Sequence, residues 1–592
     1  ITMAEPLVTS WSHNCLDRLL STPRDPVSLE LPSGVAIEYP PITPYLNVGI
    51  YDNVYCHGVL LHDVQMARLY PDSKTFVDMK LKYSEDEVVS KYEELRKQFG
   101  DKTPPRDKIQ QFVEENFENG DELEEWTPTD FNPKPSLVDR VTDPLLKTWV
   151  EQLNQIFLTL SRKVKADVKV NPGLYSLLYV PNGFIVPGGR FRELYYWDTY
   201  WIINGLLLCD MATTARGVIE NFFYLIRNYH IIPNGSRKYY LQRSQPPLLI
   251  PMVELYYKYT KDLEFIKQNI EVLEEEFNFW MNNRMVRLKK NNVCYKLARY
   301  YCPSSGPRPE SYWEDYSTAE NLPSQEQKEE LYVSLKSAAE SGLDFSTRWF
   351  IKDGTNNGNL SDIDTPHIVP VDLNAFLQNN AQILSSLYAE IGNVAKSTHY
   401  KHRATKLLQA IEAILWREDR GMWLDYDLKN LKSRDYFYMS NFAPLWTGSY
   451  TKSKEELSKR VIHYLNESKV GEYVGGIPTS LYASGEQWDF PNAWPPLQSI
   501  LIEGLVRLQT PAATQTARLY AERWLRSNYK GYMIFNKMFE KYDVELMGQT
   551  GSGGEYEAQT GFGWSNGVVL QFLDIFGRDI TVHERDSSSS SI

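Results

Sequence analysis

Leu145, Trp149, Leu153, Ile156 and Leu160 recur at steps of three and four, which lines them on one face of a helix. Asp143-Pro144 opens that helix, with the aspartate as N-cap and the proline in the first turn. The spacing returns in Ile266, Ile270, Leu273, Phe277 and Trp280, predicting a helix over 263–280. Two more are predicted over 372–391 and about 396–416. The first carries Leu373, Leu377, Leu384, Leu387 and Ile391 and stops at Gly392; the second carries Ala404, Leu407, Leu408, Ile411 and Leu415. So short a connection makes them antiparallel neighbours. Another pair lies near 496–508 and 512–527, broken at Pro511. Beyond residue 140 the chain reads as successive helical hairpins. No repeat of fixed period is present, which disfavours a solenoid. A closed ring of hairpins is the economical alternative, with a ligand pocket among the loops at one end.

Six segments are too polar, too aromatic and too rich in Gly or Pro for helix interiors. They are PGGRFRELYYWDTYW at 187–201, IPNGSRKYYLQRSQPP at 232–247, SSGPRPESYWED at 304–315, AAESGLDFSTRWF at 338–350, GEQWDFPNAWPP at 485–496 and FEKYDVELMGQTGSGGEYEAQTGFGWSN at 539–566. Loops carry function more often than core does. Each of these sets acidic, basic or amide side chains beside aromatic rings. That mixture suits a sugar: carboxylates, amides and Arg forks grip hydroxyls, and rings cover C–H faces. Glycosidic hydrolysis needs two further carboxyl groups, one protonated to serve the leaving oxygen and one ionised to activate water or attack. Asp198, Glu193, Glu310, Asp344, Asp489, Glu540 and Glu555 all qualify, and composition does not choose among them. Taken singly, each also reads as a solvated or salt-bridged surface carboxylate.

Bulk properties narrow the classes. A net charge of −13 argues against nucleic-acid or anionic-membrane binding. No run of about 18 apolar residues is present, so no membrane-spanning helix is expected. The 15 Trp, 39 Tyr and 24 Phe exceed what packing alone usually requires, although most are expected in the core. Cys15, Cys56, Cys209, Cys294 and Cys302 form no CxxC pair, and the histidines show no metal spacing, so no metal or cofactor is expected. Cys15–Cys56 and Cys294–Cys302 are both open to a disulfide, and the sequence does not choose. The opening ITMAEPLVTSW is compatible with a mature chain after leader removal. With sequons at Asn234, Asn359 and Asn466 it gives an expectation of a secreted glycoprotein. Residues 100–137 read as a surface excursion, and the serine run at 587–591 as a disordered end. The expected division is an N-terminal extension over 1–140, a barrel over 141–580 and a tail over 581–592.

PGGRFRELYYWDTY and QWDFPNAWPP resemble the two signatures of the trehalase family of glycoside hydrolases. IPNGSRKYYLQRSQPP, RPES, ESGLDFSTRWF, EKYD and GSGGEY followed by GFGWSNG also resemble family segments, in family order, from about 150 to 570. The N-terminal YCHGVLLHDVQMARLYPDSKTFVDM is similar to animal, especially insect, members. The resemblance implies an all-α fold, an (α/α) barrel of six hairpins with an enclosed sugar pocket. It implies hydrolysis of α,α-trehalose to two glucoses with inversion and without a cofactor. By motif position it makes Asp344 the general acid and Glu540 the general base. It assigns substrate contacts to Arg190, Phe191, Trp197, Asp198, Asn234, Arg243, Gln245, Arg308, Glu310, Gly342, Gln487, Trp488 and Glu555. Glu555 is also the reserve candidate for the base, in a Gly-rich loop able to act as a lid. The three arginines are expected to bind hydroxyls and to hold Glu540 and its neighbours ionised. Glu193 and Asp489 are expected to anchor loops, and Tyr200 and Trp201 to turn into the core. Leu343 stands where the family usually has Trp, Trp313 where a charged residue is usual and Ala493 where Gly is common. Leu343 is thereby placed to alter desolvation of the acid. Rival readings are another inverting glycosidase or phosphorylase acting on a maltose-like sugar, and an inactive sugar-binding protein.

Overall fold

The computed structural model describes residues 36–38 and 52–582. Cys15, the opening ITMAEPLVTSW and the serine run at 587–591 lie outside the described residues. Twelve helices, numbered α1–α12 in chain order, build the barrel. The outer layer is α1 (Pro144–Leu160), α3 (Ala212–Tyr229), α5 (Leu263–Asn283), α7 (Val394–Ala410), α9 (Lys454–Glu467) and α11 (Pro511–Phe535). The inner layer is α2 (Asp198–Leu208), α4 (Leu249–Thr260), α6 (Val371–Glu390), α8 (Ala443–Thr447), α10 (Pro495–Arg507) and α12 (Gly563–Phe576). Each inner helix packs on the next, and α12 returns to pack on α2, closing the ring of six hairpins.

Burial explains the two layers. Every residue of α2 except Asn204 is buried, and α10 and α12 are buried around most of their circumference. Outer helices bury one stripe, as α9 does with Leu457, Val461, Tyr464 and Leu465. Asp143 caps α1 as expected, accepting from the amides of Leu145 and Leu146. The buried stripe of α1 is Leu146, Trp149, Val150, Leu153, Phe157 and Leu160. Leu145 is 44% exposed, because it sits one residue, about 100°, away from the row led by Leu146. The predicted pair at 372–391 and 396–416 is α6 and α7, with α7 ending in one wider π turn over Ile411–Leu415. Tyr200 and Trp201 are buried in the core, the former edge-on to Trp446.

Inner and outer helices alternate, so the chain enters every inner helix from the same end. The return from inner to outer helix is short at five places, and each turn carries a left-handed residue. These are Asp210 (φ 65°), Lys261 (60°), Gly392 (81°), Gly448 (74°) and Gln509 (57°). The entries into inner helices are long and hold the six polar segments. Their ends run into helices, since α2 begins at Asp198 and helix Gln325–Glu340 includes Ala338. Polarity alone misreads such ends, because a helix N-terminus facing a cavity is itself polar and aromatic.

A β-hairpin stands between α5 and α6. Strand β2 (Met285–Lys290) pairs with β3 (Val293–Ala298) from Met285↔Ala298 to Lys290↔Val293, and β1 (Ala36–Glu38) joins its other edge at Ala36↔Lys289. Asn291 and Asn292 both take positive φ in its two-residue turn, a conformation asparagine tolerates. Cys294 lies exposed on this hairpin and Cys302 is buried, donating Sγ–H to the Gln242 carbonyl; both are free thiols. Cys56 is free also. A smaller core around Val54, Leu61, Phe76, Val88 and Phe112 packs against Tyr195, Tyr239 and Tyr240 of the barrel loops. Among the described residues no helix is long and apolar enough to cross a membrane.

Candidate active site

The loops entering α2, α4, α6, α10 and α12 surround one cavity with about 710 Å³ of space, mouth included. The loop into α2 contributes Arg190, Phe191, Trp197 and Asp198; the loop into α4 contributes Asn234, Arg243 and Gln245. The long insertion before α6 brings Arg308, Glu310, Gly342 and Asp344. Trp488 precedes α10, and Glu540 and Glu555 precede α12. Gln487 is the exception: it is buried and does not line the cavity, holding the Asp344 carbonyl through Nε2 at 2.6 Å instead.

Asp344 follows the end of helix Gln325–Glu340 across a tight turn. Gly342 makes the turn with φ 76°, and a Cβ there would lie 2.7 Å from the Trp197 ring, so only glycine fits. The segment beyond Asp344 is held rigidly. Asp489 accepts from the Ser346 hydroxyl and the Thr347 amide, both at 2.8 Å, and Arg348 forks onto Asp372 and Asp425. Asp489 is thus a loop anchor, as expected. Glu193 anchors through side chains, taking Tyr195, Arg237 and Lys74. Leu343 packs in the hydrophobic core and does not line the cavity. Ala493 is fully buried where β4 (Asn492–Ala493) pairs with β5 (Tyr542–Asp543).

The two proposed reacting carboxyls have different surroundings. Among the described residues no other side chain donates to the Asp344 carboxyl, and burial pushes it up to about 6 against the pull of Arg308, its own backbone amide and Arg243. Glu540 accepts from the Tyr556 phenol at 2.9 Å and the Gln559 amide at 3.3 Å. Burial raises its pKa too, with Asp344 adding to the rise, while Lys541 and those two hydrogen bonds oppose it. The arginines therefore serve the neighbouring carboxylates Glu310 and Glu555, and do not pair with Glu540 itself. Arg190 pairs with Asp72 at 3.0 Å, Arg243 with Glu310, and Arg308 with Asp315 and Glu555. The cation beside Glu540 is its own chain neighbour. Asp198 is buried at the start of α2, and burial, reinforced by Glu540 and Asp344, pushes its pKa well up.

Binding groups are set by their neighbours. Arg243 also donates Nε to Asn234 Oδ1 at 3.1 Å, and Glu310 keeps Oε2 without a partner. Asn234 is buried in this contact, which removes it as a glycan site in the folded protein; Asn359 and Asn466 are exposed. Gln245 Oε1 accepts from the Trp197 amide at 3.1 Å. Trp488 stacks on Trp494 with centroids 3.8 Å apart, and Trp197 and Trp564 pack around them as one aromatic wall. Trp197 is thus both cavity lining and core. Trp313 lies away from the cavity under the Arg68 guanidinium, 4.5 Å from its ring.

Sequence reasoning missed Lys74, Tyr556 and Trp564 in the lining, and the part Asp72 and Lys541 play behind it. Lys74 and Asp72 come from the N-terminal segment YCHGVLLHDVQMARLYPDSKTFVDM, whose resemblance to family members gives neither residue a role. Tyr556 and Lys541 sit next to named residues, so adjacency in GGEY and EKYD was the available signal.

A family model described as Trehalase matches residues 68–577. The trehalase of Apis mellifera is 50% identical over 535 residues, covering 90% of this chain and 85% of that protein. The trehalase of Homo sapiens is 45% identical over 529 residues, covering 89% and 90%. A solved structure of the neutral trehalase from Saccharomyces cerevisiae matches with a TM-score of 0.53 at 25% identity, over 66% of this chain and 73% of that chain.

Proposed function

Since the chain belongs to the trehalase family of glycoside hydrolases, we propose that it hydrolyses α,α-trehalose to two glucoses by an inverting mechanism. Asp344 is the general acid and Glu540 the general base. The observation that carries this assignment is the unequal treatment of the two carboxyls. Asp344 is buried with no other side chain donating to its carboxyl among the described residues, which favours the protonated form an acid needs. Glu540 receives two hydrogen bonds and a neighbouring ammonium, which favour the carboxylate a base needs.

Asp344 gives its proton to the oxygen joining the sugars as the C–O bond breaks. Glu540 takes a proton from a water attacking the opposite face of the oxocarbenium-like ring. One glucose leaves as the α anomer and the other forms as β. An inverting pair stands roughly 6.5–9.5 Å apart to admit that water. Arg243, Arg308 and Arg190 grip hydroxyls as planar forks, and the free Oε2 of Glu310 accepts another. The aromatic wall covers the C–H faces. The exposed sequons at Asn359 and Asn466 accord with an extracellular, glycosylated protein.

The test follows product anomers by NMR for wild type, Asp344→Asn and Glu540→Gln. Equal initial α- and β-glucose, with either variant folded and slowed by about 10²–10⁴-fold, is the expected result. Only α-glucose at first turnover means retention and removes the mechanism. Turnover surviving in Glu540→Gln moves the base to Glu555. Cleavage of maltose in place of trehalose overturns the substrate.

A further inference from the structure

Lys541 is a buried lysine with no ion pair of its own among the described residues. Its Nζ donates to Gln487 Oε1 at 2.9 Å and to the Gly553 carbonyl at 3.2 Å, both neutral acceptors. Trp494 lies 5.1 Å and Tyr556 6.0 Å from it, ring centroid to ammonium. A buried cation without a contacting carboxylate is costly unless nearby charge balances it. Burial lowers its pKa to about 8, and the charges that oppose the fall are Glu540 and Asp344.

The two acceptors belong to different loops. Gln487 spends its amide NH₂ on the Asp344 carbonyl at 2.6 Å, and its own carbonyl accepts from Trp494 Nε1 at 2.8 Å and Asn492 Nδ2 at 3.0 Å. Gly553 belongs to the Gly-rich loop that carries Glu555 and Tyr556. That loop closes down on the lysine: a Cβ at Gly551 would lie 3.0 Å from Lys541 Cγ, and one at Gly554 would lie 2.9 Å from Gln487. Lys541 therefore joins the base strand, the acid loop and the Gly-rich loop through one ammonium.

We infer that Lys541 is a positioning residue for the reaction: its ammonium, fixed by Gln487 and Gly553, holds Glu540 as a carboxylate and ties the acid loop to the base. This rests on the reading of Glu540 as the base. The other groups facing Glu540 are Tyr556 and the Gln559 amide from the Gly-rich loop, Asp344 from the acid loop, and Asp198 from the start of α2. Lys541 is the cation among these, and Arg190, paired with Asp72, packs on the ring of Tyr556. Tyr556 supplies a hydrogen bond and no charge, and Asp344 and Asp198 oppose ionisation. Without the lysine, three buried carboxyls face one another with Arg243 and Arg308 committed to other carboxylates.

The experiment measures kcat/KM for trehalose against pH in wild type, Lys541→Met and Lys541→Arg, with a thermal melt of each. Lys541→Met keeps the length and loses the charge, so its acidic limb moves to higher pH by about one unit or more. Lys541→Arg keeps the limb near the wild-type position even if the rate falls. A folded Lys541→Met whose acidic limb is unmoved overturns the proposal. If Lys541→Met does not melt cooperatively, reciprocity supplies the second measurement. In lysine-labelled protein, NMR follows the Lys541 ammonium, which in Glu540→Gln gives up its proton about one unit lower than in wild type. An unchanged titration overturns the coupling. Turnover by Glu540→Gln removes Glu540 as the base and leaves this NMR coupling standing, so the two failures are distinct.

Discussion

The phenol of Tyr556 donates to Glu540 at 2.9 Å while the same ring lies 4.9 Å from the Arg190 guanidinium. One side chain thus serves both the proposed base and the packing of Arg190. Tyr556→Phe separates the two roles. The hydrogen bond to a charged acceptor is lost, and the ring remains under Arg190. A fall in kcat of about 10-fold, with KM changed less than about 3-fold, is expected in steady-state kinetics.

Arg308 holds Asp315 with Nε and Nη2 and reaches Glu555 at 2.9 Å with Nη2. Lysine has a single ammonium and no planar fork. Arg308→Lys therefore leaves a buried carboxylate short of partners. A loss of about 100-fold in kcat/KM is expected, larger than any screened surface pair produces. Activity within threefold of wild type refutes the role given to the fork.

At Gly342 two costs coincide, a positive φ and a Cβ pressed to 2.7 Å from Trp197. Gly342→Ala is expected to lose about 2 kcal/mol of stability and to displace the aromatic wall, raising KM. Chemical denaturation and kinetics check the two effects separately.

The raised Asp344 carboxyl has a signed pH dependence. Its folded pKa of about 6 lies above the ordinary 3.8, so its contribution to stability is complete below about pH 4 and is lost as pH rises through 6. Asp344→Asn removes the burden. Its melting temperature is expected to exceed that of wild type at pH 7 and to converge with it near pH 4. In wild type the alkaline limb of kcat/KM is expected near pH 6, where the acid loses its proton.

Gln509 adopts φ 57° between α10 and α11, a region that costs a side chain roughly 1 kcal/mol. Gln509→Gly is expected to stabilise the protein by up to about 1 kcal/mol without changing kinetics. A denaturation midpoint that falls contradicts this.

Much of the barrel was legible because its period is local. Asp143, Pro144 and the Trp149–Leu153 row place α1, and Gly392 places the turn between α6 and α7. The exposed Leu145 shows the limit: a stripe fixes a face to within about one residue, 100° of arc. Most of the residues chosen by motif position line one cavity, yet motif position does not say which way a side chain points. Gln487 lies in a signature and faces the acid's backbone rather than the ligand. The arginines were expected to serve Glu540 and its neighbours, and the structure commits Arg243 and Arg308 to Glu310, Asp315 and Glu555, since packing decides which cation reaches which carboxylate. Asp72 and Lys74 were invisible because their place depends on a small core folding onto Tyr195, Tyr239 and Tyr240.

The five tight turns, from Asp210 to Gln509, lie at the end of the barrel away from the mouth. Lys261 and Gln509 are exposed there. Once the exposed Cys294 thiol is replaced, a protein fastened to a sensor surface through a cysteine introduced at either site presents every loop that lines the cavity to the bulk liquid. Random attachment through the remaining lysines does not. The asymmetry of the barrel thus gives the molecule a natural back, suited to an electrode or a resin.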